Sequence, residues 1–509
     1  MLFDNIDFPF EERLSAARTY EDNFTPYVAE KRPAFHLISR NGWMNDPNGF
    51  SEYGGVYHLF YQYYPYGAHW DSMHWGHAIS KDLVKWEDVS AALAPDQTYD
   101  EFGVFSGSAI VRGDEHVLMY TGVERTGEGM TPEGFHKARQ TQCIAIGDGR
   151  DYKKIAANPV IKPEDIPDCM VQDFRDPKVW QEGDTYYAIM AARNNDHNGF
   201  LPVCSSKDLV NWEYCGNIFT NKPDLGTMVE CPDFFRLPAE DGSVDVVLTS
   251  VIQLKGKGIE IPAGPGVLWM QGDMAADKSA FDVKKMDMLD YGFDFYATHS
   301  LQAADGRCIL TAWMSNLTNI IAPVPDQWCG MECFPRELTW KNGRVYSLPV
   351  REIENYYQNK VAIDNVKLES GSTTVLPGVE GRMIDLTVEV KAGENSAFHL
   401  FVAQNEEFQT EITYDAKEHL LTYDRSKSGT FYPEKEFLQE DHVRSIAVEP
   451  VDGKIKLRLL MDRFSTELFV NDGEKVMTCM LSTAQEADGI SFRGEGDVEI
   501  SVTKYDVVV

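Results

Sequence analysis

From about residue 35 to residue 345 the apolar positions come in short runs, such as "VYHLFYQYY" (56–64), "EHVLMYTG" (115–122), "TYYAIMAAR" (185–193) and "VDVVLTS" (244–250). The runs are rich in Tyr, Val, Ile and Phe and are bounded by Gly, Asp, Asn and Pro, which predicts short antiparallel strands joined by tight turns. Almost none of this region keeps a helical period. Further on, "KIKLRLLMD" (454–462) and "STELFVNDG" (465–473) alternate with period two, and Asp452-Gly453 and Asp472-Gly473 supply hairpin turns. The pattern predicts a second all-β domain over 365–509, most simply a sandwich. Between the two, "VREIENYYQNKVAI" reads as one short amphipathic helix, a linker over 349–364. Residues 1–33 form an expected N-terminal extension with a helical pattern from Phe10 to Tyr20.

An internal echo organises the first domain, expected over 34–348. Ser80-Lys81-Asp82-Leu83-Val84-Lys85-Trp86 returns 126 residues later as Ser206-Lys207-Asp208-Leu209-Val210-Asn211-Trp212. Both copies follow a strand and both end on Trp, an uncommon residue, which argues against chance. A four-stranded unit of roughly 45–65 residues makes that spacing two units of a β-propeller, and the region then holds about five blades.

Composition narrows the partners. The 509 residues carry 80 Asp+Glu against 47 Lys+Arg, a formal net charge of -33. Nucleic acid and anionic membranes both need a basic face, so neither is expected as a partner. A neutral sugar is compatible with this surface, whereas a phosphorylated one needs a local basic cluster. No basic-then-apolar leader opens the chain and no run approaches the ~18 apolar residues of a spanning helix. A cytoplasmic location is therefore expected. The nine cysteines lack metal-site spacing and predict free thiols.

A propeller brings residues distant in sequence to one end of its axis. Three acids stand in unusual contexts: Asp46 in "WMNDPNG", Asp176 in "FRDP" and Glu230 in "VECPD", at intervals of 130 and 54 residues. Each alone reads as a turn or an edge-strand charge. Three acids each within two residues of a proline, in a Trp- and Tyr-rich setting, read as a site. Glycoside hydrolysis uses such a set: one carboxylate attacks the anomeric carbon while a protonated carboxyl donates to the leaving oxygen. Asn45 is placed to hold Asp46 ionised, Arg175 to keep Asp176 charged, and Cys231 to modulate Glu230. His74 and His77 of "HWGH" fall on opposite faces of a strand and are expected to pack rather than bind metal.

On these motifs the chain resembles glycoside hydrolase family 32, the invertases, sucrose-6-phosphate hydrolases and fructan hydrolases. "FYQY" (60–63), "FSGSA" (105–109), "DFYA" (294–297) and "AWMSN" (312–316) also match, and the resemblance runs from about residue 34 onward. It implies an all-β fold, a five-bladed β-propeller followed by a C-terminal β-sandwich, and no metal or other cofactor. It implies that Asp46 is the nucleophile, Glu230 the general acid/base and Asp176 the transition-state stabiliser, with Arg175 and Cys231 beside them. Asn45, Gln62, Trp70, Phe105, Ser106 and Trp313 match positions lining the fructose pocket. Two departures, Asp71-Ser72 after Trp70 and Val229 where relatives carry an aromatic, bear on the leaving-group side. The expected activity is a retaining β-fructofuranosidase acting on sucrose and short fructo-oligosaccharides. Sucrose-6-phosphate hydrolase is the main alternative, with Lys178, Arg193 and Lys222 as candidate phosphate partners. A fructosyltransferase and a non-catalytic fructan-binding propeller are the lesser ones.

Overall fold

The structure is a computed structural model that describes residues 8–25, 28–130, 136–222, 225–226, 228–315, 328–429 and 442–509, with side chains described except at 128–130 and 136. Thr227 and the Asn316 of "AWMSN" lie outside these residues.

Among the described residues, five antiparallel sheets follow one another between Gly42 and Pro349. Each contains a four-strand meander, to which the first sheet adds one short parallel strand, and the meander's first strand is innermost: β1 (Gly42–Tyr53), β2 (Gly103–Arg112), β3 (Cys169–Glu182), β4 (Met228–Ala239) and β5 (Tyr296–Gln302). These five strands touch in cyclic order, β5 returning to β1, so the sheets stand as propeller blades around one axis. The two copies of the internal echo occupy the same place in the first and third sheets. Each is a turn between the third and fourth strands, built the same way. Ser80 and Ser206 accept the N–H of Leu83 and Leu209, at 2.8 and 2.9 Å, while those leucines take the left-handed conformation (φ 66° and 68°).

The ring is closed by a late segment. Trp328–Cys329 pairs in parallel with Gly42 and Trp43 of β1. Gly330 follows at φ 88°, and a Cβ there would lie 1.8 Å from the Met44 carbonyl oxygen, so only glycine permits this approach.

Two six-stranded sheets make the second unit, a sandwich whose inner faces bury Val388, Leu400, Ile412 and Leu457. The linker helix expected over 349–364 is instead a 3-10 helix of six residues, Arg351–Tyr356, followed directly by a strand, Tyr357–Lys367. That strand pairs with Val498–Val507 in the sandwich and has two register shifts, which break its period and mimic helical spacing.

Between propeller and sandwich lies a buried charge network. His36 hydrogen-bonds Asp462 at 2.9 Å and Glu467 at 2.8 Å. Glu467 also accepts the Phe334 N–H at 2.9 Å and pairs with Arg336, which reaches Asp290 at 2.9 Å. At the chain's start, helix α1 (Arg13–Asn23) lies against Trp86–Leu93, and its buried Glu21 accepts the Ala91 N–H at 3.1 Å.

Candidate active site

All five inner strands suspend their ladder near one end of the axis. Pairing skips from Met44 to Pro47 on β1 and from Phe105 to Gly107 on β2. It skips from Arg175 to Lys178 on β3, from Glu230 to Asp233 on β4, and from Tyr296 to His299 on β5. Such bulges re-aim side chains. They also explain the prolines: Pro177 and Pro232 fall inside the gaps and Pro47 at the edge of one, where no ladder N–H is required. Asp176, Cys231 and Ala297 sit in the left-handed region (φ 58°, 44° and 52°), a strain of about 1–2 kcal/mol per residue.

The released side chains meet. Asp46 accepts the Ser106 hydroxyl at 2.7 Å, the Asn45 amide at 3.0 Å and the Cys231 thiol at 3.4 Å. Asn45 is fixed in turn by the Trp43 indole N–H at 2.6 Å. Asp176 accepts the Cys231 backbone N–H at 3.0 Å, and the same thiol lies 3.7 Å from it. One cysteine, adjacent to Glu230, thus bridges the other two acids. Glu230 receives Arg175 on Oε1, from Nη2 at 2.9 Å and Nε at 3.3 Å, and the Tyr296 hydroxyl on Oε2 at 2.7 Å.

Arg175 acts on Asp176 through its charge and not through a hydrogen bond. Its nearest approach to that carboxylate is 3.9 Å, and its hydrogen bonds run to Glu230, to Asp173 at 3.0 Å and to Gln140 at 3.3 Å. Neighbours on a strand point apart, so the guanidinium crosses to the next blade. Burial pushes Asp176 up to about 7; Arg175 opposes this, and the charges of Glu230 and Asp46 add to it. Burial also raises Asp46, while Ser106 and Asn45 pull it back. The Cys231 thiol is driven well up by burial and by the three carboxylates, so it stays protonated and is no nucleophile.

An apolar wall surrounds the acids. Trp43, Tyr296, Trp313, Trp70, Phe105 and Cys231 belong to one cluster, with Trp70 edge-on to Phe105 at 5.8 Å and Trp43 at 6.2 Å from Trp313. Gln62 is buried behind this wall and donates to the Val104 carbonyl at 3.1 Å, steadying the backbone next to Phe105. Val229 is fully buried in the core beside Ile189 and Leu201. Position 229 therefore bears on core packing.

Two neighbours of the acids, Asp173 and Gln140, lie outside the quoted motifs, whereas Tyr296 stands in "DFYA" and Asn48 in "WMNDPNG", where it ties β1 to β2 through the Gly107 N–H at 3.0 Å. His74 bonds the Ser72 carbonyl at 2.9 Å, and His77 stacks on Phe60 and bonds His58 at 3.0 Å. Burial holds both well below the usual imidazole range. Of the cations weighed for a phosphate, Lys178 is buried against Asp233 at 3.1 Å and the Ser300 carbonyl at 2.5 Å. Arg193 pairs with Asp173 at 3.4 Å, and Lys222 is exposed. Among the described residues no group of three His, Cys, Asp or Glu could hold a metal ion, and no helix is long and apolar enough to cross a membrane.

Comparison with known proteins identifies the family. The model for the glycosyl hydrolases family 32 N-terminal domain matches residues 36–349, and that for the family's C-terminal domain matches 352–508. The levanase of Bacillus subtilis (strain 168) is 34% identical over 491 residues, covering 93% of this chain and 70% of the relative. The sucrose-6-phosphate hydrolase of Staphylococcus xylosus is 32% identical over 482 residues, 94% of this chain and 93% of the relative. The solved GH32 beta-fructofuranosidase of Bombyx mori superposes with a TM-score of 0.79 at 30% identity, covering 98% of this chain and 97% of that one, and a mutant of it was solved in complex with sucrose.

Proposed function

The chain belongs to glycoside hydrolase family 32, and from that premise we propose a retaining β-fructofuranosidase that removes terminal fructosyl units from sucrose and short fructo-oligosaccharides. The observation that carries the reading is the bridge by Cys231, which gathers Asp46 and Asp176 about one point with Glu230 as its chain neighbour.

In this reading Asp46 attacks the anomeric carbon of the fructosyl unit. The bond to the glycosidic oxygen breaks, its electron pair stays on that oxygen, and Glu230 supplies the proton. The positive charge that develops on the sugar faces Asp176, which also grips its hydroxyls. Water, losing its proton to Glu230, then opens the ester and frees Asp46. Arg175 and Tyr296 aim Glu230, and Ser106 and Asn45 aim Asp46. Trp70, Phe105 and Trp313 offer flat apolar faces to the sugar.

A neutral leaving group is favoured over a phosphorylated one because Lys178 and Arg193 are both held by carboxylates. The likeness to sucrose-6-phosphate hydrolases supports the second reading, in which the exposed Lys222 would meet the phosphate. A cytoplasmic site of action fits the nine free thiols.

Two measurements test the proposal. An Asp46→Asn variant should fold and bind sugar but release fructose at least ~10³-fold more slowly; undiminished release refutes the assignment. Comparing kcat/KM for sucrose, 1-kestose and sucrose 6-phosphate should favour the neutral sugars. A tenfold preference for the phosphorylated one, ~1.4 kcal/mol, would select the second reading.

A further inference from the structure

The ring-closing segment carries an acid that the proposed reaction does not use. Glu332 is 1% exposed, and neither of its carboxyl oxygens has a hydrogen-bond partner among the described residues. It forms an isolated antiparallel bridge with Trp313, so the two side chains share a face. The Trp313 indole N–H is also buried and unpartnered. The cross-strand pair thus offers one donor and two carboxyl oxygens, and a buried water is held by roughly two to four such polar partners.

Packing alone gives no reason for a carboxyl here. A buried polar group without partners is costly, and an apolar side chain of similar size would fill the same space more favourably. Burial and the charge of Asp46 both push its proton affinity well up, so it stays a neutral acid. From Glu332 a chain of contacts leads to the nucleophile. Trp313 packs on Trp43 at 6.2 Å, Trp43 donates to Asn45 at 2.6 Å, and Asn45 donates to Asp46 at 3.0 Å. Gly330 presses on the Met44 carbonyl, two residues before Asp46, from the same segment.

We propose that Glu332 is a positioning residue: together with the Trp313 N–H it holds one ordered water, and this fixes Trp313 against Trp43 and so sets Asn45 and Asp46 for attack. The inference rests on the assignment of Asp46 above. It accounts for an expensive group by the geometry that the group enforces at a distance.

The test compares Glu332→Met and Glu332→Gln, using sucrose as the substrate and thermal unfolding as the second readout. E332M should melt at or above the wild-type temperature yet lose tenfold or more in kcat, with KM changed less than threefold. E332Q, which can still bind the water, should recover to within threefold of wild-type kcat. Full kcat in E332M overturns the proposal, as does a lowered melting temperature, which would make the role structural. An E332Q as impaired as E332M also overturns it. Asp46→Asn run alongside separates the two readings. Full turnover in D46N refutes the nucleophile, whereas turnover lost in D46N but kept in E332M refutes only the role of Glu332.

Discussion

Replacing Asp176 with Asn removes a charge, keeps the shape, and leaves an oxygen to accept the Cys231 N–H now 3.0 Å away. The carboxyl is raised from 3.8 to about 7, chiefly by burial. In the folded protein the proton is therefore held more tightly than in the unfolded chain. The cost of ionising Asp176 is absent below pH 3.8, grows as pH rises, and is complete above pH 7. Three pH units correspond to about 4 kcal/mol. Asp46 and Glu230 share in this repulsion, so the figure is an upper bound for the single substitution. An unfolding entropy of ~2.1 cal/mol/K per residue over the chain converts it to at most about 4 °C. D176N should accordingly melt up to about 4 °C above wild type at pH 8, with the gap closing toward pH 4, while fructose release falls by at least ~10²-fold. Melting curves at pH 4.5, 6 and 8 with parallel rate assays read both effects. A variant that melts no higher than wild type at pH 8, or by the same margin at every pH, refutes the reasoning.

Three further outcomes follow from geometry. Tyr296→Phe removes the 2.7 Å hydrogen bond to Glu230 and should lower kcat roughly tenfold with little change in KM, as steady-state kinetics on sucrose would show. For His36, burial alone would lower the pKa, but hydrogen bonds to Asp462 and Glu467 carry it to about 9. Its stabilisation, about 3 kcal/mol, is full below pH 6.5, declines as pH rises and is gone above about pH 9. His36→Gln should therefore flatten the melting temperature over that window. Gly330→Ala would put a methyl 1.8 Å from the Met44 oxygen at a φ of 88°, and should cost at least ~3 kcal/mol and most of the activity, measured by thermal unfolding and fructose release.

The three acids were legible because each lies in or beside a ladder gap that proline tolerates, and proline marks such gaps in the sequence. The strands were legible from length and punctuation, and the SKDLV echo located two equivalent turns. What escaped was whatever depends on facing rather than adjacency. The sequence pairs Arg175 with its chain neighbour, whose charge it supports, but does not show that its hydrogen bonds run to Glu230, 55 residues away. Tyr296 stands in "DFYA", but its partner Glu230 comes from another strand, and Glu332 carries no local mark. The stretch 350–363 read as a helix because two bulges, with Asn359 and Asn365 left-handed, spoil the alternation that a strand would otherwise show.

The closure of the ring sets an order of assembly. The strand bearing Asp46 is near the start of the chain, yet its inner end is pinned by Trp328 and Cys329, almost 290 residues later. That segment is held in turn from the second unit, where Glu467 takes the Phe334 N–H and Arg336. During synthesis the strand bearing Asp46 keeps an open edge until the last blade has emerged, and its clasp stays unsecured until the sandwich has folded. The sandwich, whose described residues contribute no acid to the site, is then a buckle. A chain cut near residue 350 would keep every residue proposed for catalysis and lose the part that holds the first of them still.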